Sequence, residues 1–446
     1  MNTPKTFSIL LVSAFILNSC ATDNDDYVET PIQTLLEQQI EVTAGSKTAL
    51  ILPASNDFSA IPNDANNSIT NAKVVLGQLL FHETALGKNP NMEEGMNTYS
   101  CASCHHAAAG FQSGIQQGIG EGGIGFGTHG EGRHKSPNYI EDDLDIQPIK
   151  SPSVLNTAYQ KVMLWNGQFG AVGMNVGTEA NWTVGTPKEA NTFGFEGVET
   201  QAIAGLDVHR LMIEKDFIIN SDYKALFDAA FPNVSEDERY TKLNGALAIA
   251  AYERTVLANE APFQKWLKGD DSAMSEDEIE GAMLFFGKGQ CYSCHSGPGL
   301  NGMEFHALGM KDLAGNNIMT EVDEATKKGR GGFTGNPDDD YKFKTPQLYN
   351  LMDAGFFGHG SSFSSIRDII SYKNNAVAEN NEVPSNKLSL QFQPLNLTED
   401  EIDLLTSFVE NALYDANLKR YQPESLPTGS CFPNADTQSS MDMGCI

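Results

Sequence analysis

A five-residue pattern occurs twice in the chain, and it constrains the fold more than any other feature. Residues 101–105 are CASCH and residues 291–295 are CYSCH, so both match Cys-x-x-Cys-His, the attachment pattern of a c-type haem. Two thiols at this spacing can each add to one vinyl group of a porphyrin, and the adjacent imidazole can bind its iron. The residues expected to attach two haems are Cys101, Cys104, Cys291 and Cys294, with His105 and His295 as iron ligands.

Two other chemistries use cysteines at this spacing. A four-thiolate zinc site would need both pairs to come together, and it would not need a histidine after each pair. A redox-active disulfide needs neither the histidine nor a second copy. Haem attachment accounts for both features and is therefore favoured over zinc binding and disulfide exchange.

The composition limits the partners of the chain. Its 446 residues are enough for two or three domains. Acidic residues outnumber basic ones by 58 to 29, which gives a formal net charge of −29. This balance excludes nucleic acid, because phosphates bind basic surfaces. An acidic surface favours solubility, and it also attracts a basic or neutral electron donor; the sequence leaves both explanations open.

The first 20 residues resemble a bacterial lipoprotein leader. Lys5 precedes an apolar run over residues 6–17 that is too short to span a bilayer. The run ends in LNSC, which predicts that Cys20 carries a lipid and tethers the protein to the cell envelope on its periplasmic side. An ordinary secretory leader is the alternative. No other stretch is apolar enough to span a membrane.

Several segments are predicted to be helical. Residues 21–67 are expected to form a polar stalk that packs against the first domain, with a short helix around residues 32–40. Ser275-Glu-Asp-Glu and Thr398-Glu-Asp-Glu are capping boxes that each open a helix. The buried face expected after Thr398 is Ile402, Leu405, Phe408, Val409 and Ala412. The helical face expected after Ser68 is Ile69, Ala72, Val75, Leu76 and Leu79.

The two cysteines near the C-terminus lie outside the motifs. Cys431 and Cys445 are close in sequence, and an exported chain folds where disulfides form. A bridge between them is favoured, and two free thiols are the alternative.

Several segments between about residue 70 and about residue 420 resemble one family, the bacterial di-haem cytochrome c peroxidases. Its relatives include the di-haem protein-oxidising enzymes of methylamine utilisation. The segments that carry the resemblance are LGQLLFHETALG (76–87), KSPSVLNTAY (150–159), LWNGQ (164–168), AYERT (251–255), FKTPQLYN (343–350) and GFFGHGSSF (355–363).

The resemblance implies a mainly α fold with two cytochrome c-like domains, each enclosing one covalent haem c. Residues 68–258 would hold the first, peroxidatic haem, and residues 259–424 would hold the second, electron-transfer haem. Residues 425–446 would form a C-terminal tail outside the family core.

The resemblance also implies roles for individual residues. Trp165 takes the place of a tryptophan between the haems that carries electrons, although a plain core tryptophan is the alternative. Gln201 matches a glutamine over the open face of the first haem. Arg254 is expected to pair with a haem propionate or with a carboxylate. Lys150 stands where relatives have an asparagine that helps to bind an interdomain calcium ion, so that ion is left open.

The acid–base glutamate of the family falls at Leu211, where this chain cannot supply a carboxylate. His209 and Arg210 are predicted to replace it. Histidine moves protons near neutral pH, and a cation beside it stabilises a leaving hydroxide. A structural surface histidine is the alternative for His209.

The distal ligand of the second haem is expected from the helix at residues 365–374, which contains no methionine. Tyr372 is favoured because phenolate binds iron. Lys373, which aligns with the ligand position, and an open site are the alternatives. Without methionine ligation the potential of this haem is expected to be lower. Whether His129 or His134 blocks the first haem at rest is left open.

The expected function is the reduction of hydrogen peroxide to water with electrons from a small redox protein, a cytochrome or a cupredoxin. One alternative is peroxide-driven oxidation of a protein or another large substrate. The other is a non-enzymatic di-haem electron carrier. Whether the protein forms a homodimer is left open.

Overall fold

The computed structural model describes residues 31–315 and 318–446. The predicted leader and Cys20 lie outside these residues. Within them, no helix combines the length and the apolar character that crossing a membrane requires.

The described chain is mainly helical, as expected. Its strands form only two short antiparallel pairs, β1 (Gly123–Ile124) with β2 (His134–Lys135) and β3 (Phe305–His306) with β4 (Phe343–Lys344). The helices are α1 (Ile32–Ala44), α2 (Asn71–His82), α3 (Gly197–Val208), α4 (Lys215–Ile219), α5 (Tyr223–Ala230), α6 (Glu236–Arg239), α7 (Lys242–Thr255), α8 (Pro262–Leu267), α9 (Glu276–Phe286), α10 (Glu324–Lys327), α11 (Arg330–Thr334), α12 (Ile366–Asn375), α13 (Glu399–Ser407) and α14 (Thr437–Asp442).

Two helix pairs organise the two halves of the chain. α2 packs against α7 in the half that carries the first motif, and α9 packs against α13 in the half that carries the second. A glycine lies at each contact. A Cβ atom on Gly77 would overlap the carbonyl group of Ala248, and one on Gly281 would overlap that of Leu404. The missing side chains therefore let the helix backbones approach closely.

The predicted capping boxes are present. In each, the hydroxyl of Ser275 or Thr398 accepts from the backbone three residues later, and the glutamate there accepts from the cap backbone. The apolar face predicted after Thr398 is buried throughout and continues through a π-helical turn at Phe408–Ala412.

A second repeated element anchors the loop after each motif to a helix end. Asn156 and Asn350 both adopt a left-handed backbone conformation, which asparagine tolerates better than most residues. The backbone N–H of Asn156 donates to the carbonyl of Val256, and that of Asn350 donates to Leu413. Each loop is thereby fixed beyond the end of α7 or of α13.

The described part of the predicted stalk is not a stalk. Leu36 and Ile40 of α1 are buried against the second half, where the side chains of Gln39 and Thr43 donate to the carbonyl of Phe286. The apolar i, i+4 spacing on α1 supplies a face that α9 covers. The expectation of a spacer was therefore wrong for α1. The expected packing on the first domain holds at the end of this segment, where Asn67 donates to Glu199 at 3.2 Å and to the carbonyl of Leu247 at 3.0 Å.

The C-terminal tail lies against the half that carries the first motif. The hydroxyl of Ser100 donates to the carbonyl of Pro433, and Asp436 pairs with the buried Arg133 at 3.4 Å. Cys431 and Cys445 form a disulfide, which confirms the favoured pairing.

We predict that Gly77→Ala lowers the free energy of unfolding by about 1–3 kcal/mol, since a methyl group would be forced into the α2–α7 contact. Chemical denaturation of the haem-loaded protein measures the change. Gly205→Ala in α3 is the matched control, because a Cβ atom there would meet only His209 at 3.9 Å. Equal stability of the two variants would contradict the close approach of α2 and α7.

Candidate haem sites

The histidine of the second motif is oriented by backbone carbonyls. Nδ1 of His295 lies 2.9 Å from the carbonyl oxygen of Pro346 and 3.3 Å from that of Leu300. Only a protonated Nδ1 can donate to these acceptors, so Nε2 keeps its lone pair. Burial, followed by the charge of Lys373, lowers the pKa of His295 to about 4. The imidazole is therefore neutral at pH 7, as an iron ligand must be.

The histidine of the first motif has the same arrangement. Nδ1 of His105 lies 3.4 Å from the carbonyl oxygen of Phe111. Burial lowers the pKa of His105 to about 4, and the charge of His209 contributes to this shift. Both motif histidines thus present a neutral Nε2, which fits axial ligation of two haem irons.

The state of the motif cysteines fits thioether attachment. Burial raises the pKa of the Cys104 and Cys291 thiols to about 12, so they are protonated near neutral pH. The four motif cysteines are not in disulfides. In the described ranges, no three cysteine, histidine or acidic side chains converge as a metal site requires, so the two cysteine pairs do not form the alternative zinc site.

A cavity of about 300 Å³ lies beside the second motif, within the size range of small-molecule sites. Its walls come from the motif itself, from α12, from the 150–165 segment of the first half and from the 343–359 segment of the second. The lining is mainly apolar, as a porphyrin ring requires.

Trp165 lies in the wall of this cavity that the first half supplies. Its indole Nε1 donates to the carbonyl of Lys150 at 2.8 Å, and its ring meets the His359 ring edge-on at a centroid distance of 6.3 Å. Trp165 and His359 follow the two Lys-Ser/Thr-Pro segments at the same spacing, so they are equivalent positions of the internal repeat. Electron transfer through Trp165 stays a prediction.

Two buried lysines line the same cavity. Nζ of Lys344 donates to Gln160 and to the carbonyl of Val162. Nζ of Lys150 is buried without a hydrogen-bond partner among the described residues, and burial lowers its pKa to about 8. The side chain of Lys150 therefore lies in the part of the junction between the halves where the resemblance left a calcium ion open.

His209 forms a pair with a residue that the sequence did not suggest. Nδ1 of His209 lies 2.9 Å from both carboxylate oxygens of Asp145. Burial lowers the pKa of His209, whereas the charge and hydrogen bond of Asp145 raise it, and the net shift is upward. The charge of Asp145 also contributes to the raised pKa of Cys104. The pair therefore lies close to the first motif.

Arg210 is held by a buried carboxylate. Its guanidinium contacts Glu121 at 2.6–2.7 Å, and Glu121 also accepts from the hydroxyl of Tyr139 at 2.9 Å. This ion pair argues against Arg210 as a free cation for catalysis. Gln201 is half-buried on α3, the helix that ends just before His209.

Arg254 pairs with carboxylates, one of its two expected partners. It donates to Glu199 through two nitrogens at 2.9 and 2.6 Å, to Glu196 at 3.2 Å and to the carbonyl of Pro62 at 3.1 Å. All three guanidinium nitrogens are thus engaged by protein groups, which argues against its assignment as a cofactor-binding residue.

The structure points away from Tyr372 as the distal ligand. Its hydroxyl donates to the carbonyl of Leu308 at 2.5 Å, and its side chain is not part of the cavity wall. The neighbouring Lys373 does line the cavity. The distal ligand stays a prediction, and of the two candidates the cavity wall contains Lys373 and not Tyr372.

The two histidines considered as blocking ligands both bind backbone carbonyls. Nδ1 of the exposed His129 lies 3.0 Å from the carbonyl oxygen of Ala108, and that of the exposed His134 lies 2.8 Å from Gly132. The sequence assigned a blocking role to neither histidine, and these contacts do not assign one.

A helical fold that repeats internally, with one oriented Cys-x-x-Cys-His histidine per half, defines a protein of the di-haem c type. The sequence profile described as "Di-haem cytochrome c peroxidase" matches residues 71–272. The chain belongs to this family, which also includes MauG proteins, and membership implies two haem c groups.

Relatives that are named for different functions match most of the chain. Methylamine utilization protein MauG of Methylorubrum extorquens is 26% identical over 385 residues, covering 83% of this chain and 89% of the relative. Cytochrome-c peroxidase IdrP1 of Denitromonas iodatirespirans is 27% identical over 379 residues, covering 80% and 86%.

Two solved structures share the fold. A MauG-like protein associated with microbial copper homeostasis superposes with a TM-score of 0.55 at 22% identity, covering 82% of this chain and 95% of the other. The di-haem peroxidase BthA of Burkholderia thailandensis gives a TM-score of 0.51 at 16% identity, covering 82% and 91%.

We predict that the intact mass of the mature protein contains two added porphyrins. Replacing Cys291 and Cys294 together by alanine is expected to remove one of them, because no thiol remains to bind its vinyl groups. Replacing Cys431 and Cys445 by serine is the control and should leave both. A wild-type mass without added porphyrin would contradict the haem assignment.

Proposed function

We propose that this protein is a di-haem peroxidase that reduces hydrogen peroxide to water with two electrons from a small redox protein. The observation that carries the proposal is the His209–Asp145 pair beside the first motif. A carrier that only relays electrons does not need a histidine oriented by a carboxylate, whereas peroxide reduction needs a group that accepts and returns a proton.

The haem iron supplies the redox chemistry, and the protein supplies proton transfer. Asp145 accepts a hydrogen bond from Nδ1 of His209, so Nε2 is the atom that can take a proton from one peroxide oxygen and return it to the other. The overall balance is one peroxide, two electrons and two protons to two waters. Gln201, on the helix that leads to His209, is proposed as a second polar contact for peroxide.

The second half is proposed to receive the electrons. His295 would hold the iron of the electron-transfer haem, and Trp165 in the cavity wall would lie on the route to the first half. The donor would be a cytochrome or cupredoxin with a basic or neutral surface, since the chain carries a net charge of −29.

One observation favours a second candidate, the peroxide-driven oxidation of a protein or another large substrate. α12 presents no methionine to the cavity, and one relative that matches most of the chain is a MauG protein. A low-potential second haem suits a protein that stores oxidising equivalents for a partner rather than drawing electrons from one.

We also propose that a lipid on Cys20 anchors the protein to the cell envelope on the periplasmic side. The leader-like sequence and the acidic composition support this location. The disulfide between Cys431 and Cys445 also supports it, because disulfides persist in oxidising compartments such as the periplasm. Whether two copies associate is left to measurement.

Steady-state consumption of hydrogen peroxide by the haem-loaded protein with a reduced cytochrome tests the proposed activity. We predict that His209→Gln lowers kcat/KM for peroxide by about 10²–10⁴-fold, the usual contribution of a general acid–base group. The exposed His134→Gln is the matched control and should behave as wild type. Unchanged turnover in His209→Gln would refute the assigned role.

We predict that Asp145→Asn moves the acid limb of the kcat/KM profile to lower pH. The raised pKa of His209 means that the neutral imidazole is lost as the pH falls through that pKa. Removing the carboxylate removes the main raising influence, while Arg210 still lowers the pKa, and His105 close by remains neutral. Asp142→Asn, at an exposed position, controls for lost charge. A profile unchanged by Asp145→Asn but altered by Asp142→Asn would contradict the pairing.

A further inference from the structure

One face of α12 is turned towards the cavity beside the second motif. Its cavity-lining residues are Ile366, Ile369, Ile370 and Lys373, which follow the i, i+3, i+4, i+7 spacing of a single helical stripe. Three are aliphatic, and the fourth is a primary amine. An amine at the end of an otherwise apolar stripe is costly to bury unless something in the cavity binds it.

The ammonium group of Lys373 lies near the second motif. Its charge contributes to the lowered pKa of His295, and the thiols of Cys294 and Cys291 act on its own pKa. Lys373 is thus within electrostatic reach of all three groups that would hold the second haem.

No carboxylate or carbonyl in the described part of the chain accepts a hydrogen bond from Lys373. Nζ lies 5.9 Å from the ring centroids of both Tyr372 and Phe392. Burial lowers the pKa of Lys373 to about 8, so the cost of losing the proton is small. Lys344, which lines the same cavity, differs from Lys373 because its ammonium group donates to Gln160 and to the carbonyl of Val162.

Other groups in the cavity wall are less suited to bind iron. Nδ1 of His306 lies 3.1 Å from the hydroxyl of Ser389, and its Nε2 faces Glu304 at 3.7 Å. Met310 packs its sulfur against Gly358, where a Cβ atom would lie 3.2 Å away. Nε2 of His306 and Nε2 of His359, which also lines the cavity, are buried without a hydrogen bond in the described part of the chain, but each faces a carboxylate, that of Glu304 at 3.7 Å and that of Asp312 at 3.5 Å. Lys373 faces no carboxylate at ion-pair distance among the described residues.

We propose that the neutral amine of Lys373 is the second axial ligand of the iron held by His295. The bond forms when the ammonium group releases its proton to solvent and the nitrogen lone pair binds iron. Nitrogen ligation on both faces makes this haem six-coordinate and low-spin, with a lower potential than a histidine–methionine haem. The proposal rests on the haem attachment proposed above, but not on peroxidase activity.

Spectroscopy of the haem-loaded full-length protein tests this ligand with three variants. Lys373→Arg keeps the positive charge but cannot ligate, because guanidinium stays protonated. It is expected to convert one of the two haems from low-spin to high-spin in electron paramagnetic resonance. Lys373→Met is expected to give the sulfur-to-iron charge-transfer band that the wild type lacks, together with a raised reduction potential for that haem. Lys327→Met is the matched control, since Lys327 lines the same cavity but pairs with Glu324 at 3.1 Å, and its spectra should match the wild type.

The proposal is overturned if Lys373→Arg retains the low-spin spectrum of the wild type, or if the wild type already shows a methionine band. Intact mass confirms that each variant carries both porphyrins, so that a misfolded variant is not mistaken for a change of ligand. Peroxide turnover is scored separately. A wild type with lysine ligation and no turnover would refute the proposed function alone, whereas normal turnover with an unchanged Lys373→Arg spectrum would refute the ligand alone.

Discussion

The hydrogen bonds from the motif histidines to backbone carbonyls are the constraint on which the two sites depend. The bond from His295 to Pro346 fixes which ring nitrogen is free, and the bond from His105 to Phe111 does the same in the other half. The acceptors belong to loops without long regular structure, so their positions must be fixed from elsewhere. Asn350 ties the loop of Pro346 to the end of α13, which packs on α9. Asn156 ties the 150–159 loop to the end of α7, which packs on α2, and Val154 of that loop donates to the carbonyl of Phe111 at 3.0 Å.

The two halves share this scaffold and differ in what surrounds it. Around the first motif, charged residues form buried pairs, among them Asp145 with His209 and Glu121 with Arg210. Around the second motif, a continuous aliphatic stripe of α12 forms the cavity wall and ends at Lys373. The polar surroundings of the first motif suit the proton transfer proposed there. The aliphatic wall of the second cavity suits the electron exchange proposed for it, and the lysines are the exception to its apolar lining.

The sequence predicted the parts of the structure that depend on local pattern. The two motifs, the capping boxes, the buried face after Thr398 and the disulfide all follow from spacing within one element or one tail. The face of α2 was only partly right: Val75 is 37% exposed, because the contact with α7 at Gly77 selects the stripe of Leu76, Leu80 and Phe81. Periodicity predicts that α2 has a buried face, but the packing of α7 determines which residues form that face.

The parts that the sequence did not predict depend on contacts between distant segments. Asp145 meets His209 across 64 positions, and no local pattern marks it as a partner. The described stalk residues were mistaken for a spacer because their few apolar residues are buried by a helix more than 200 positions away, as the bond from Gln39 to Phe286 shows. Tyr372 was favoured over Lys373 on ligand chemistry alone, whereas the helical stripe, which includes position 373, decides which side chain enters the cavity.

The lysines of the second cavity connect its packing with its chemistry. Burial lowers the pKa of Lys344 to about 7 and the pKa values of Lys150 and Lys373 to about 8. Each buried ammonium group therefore lowers the stability of the fold unless a partner binds it. Of these three lysines, only Lys344 donates to protein acceptors among the described residues. A haem c brings both an iron, which an amine can bind, and two propionate carboxylates, which an ammonium group can pair with. The unpaired cations and the cofactor are therefore complementary, and binding the haem should stabilise the fold as well as equip it for electron transfer.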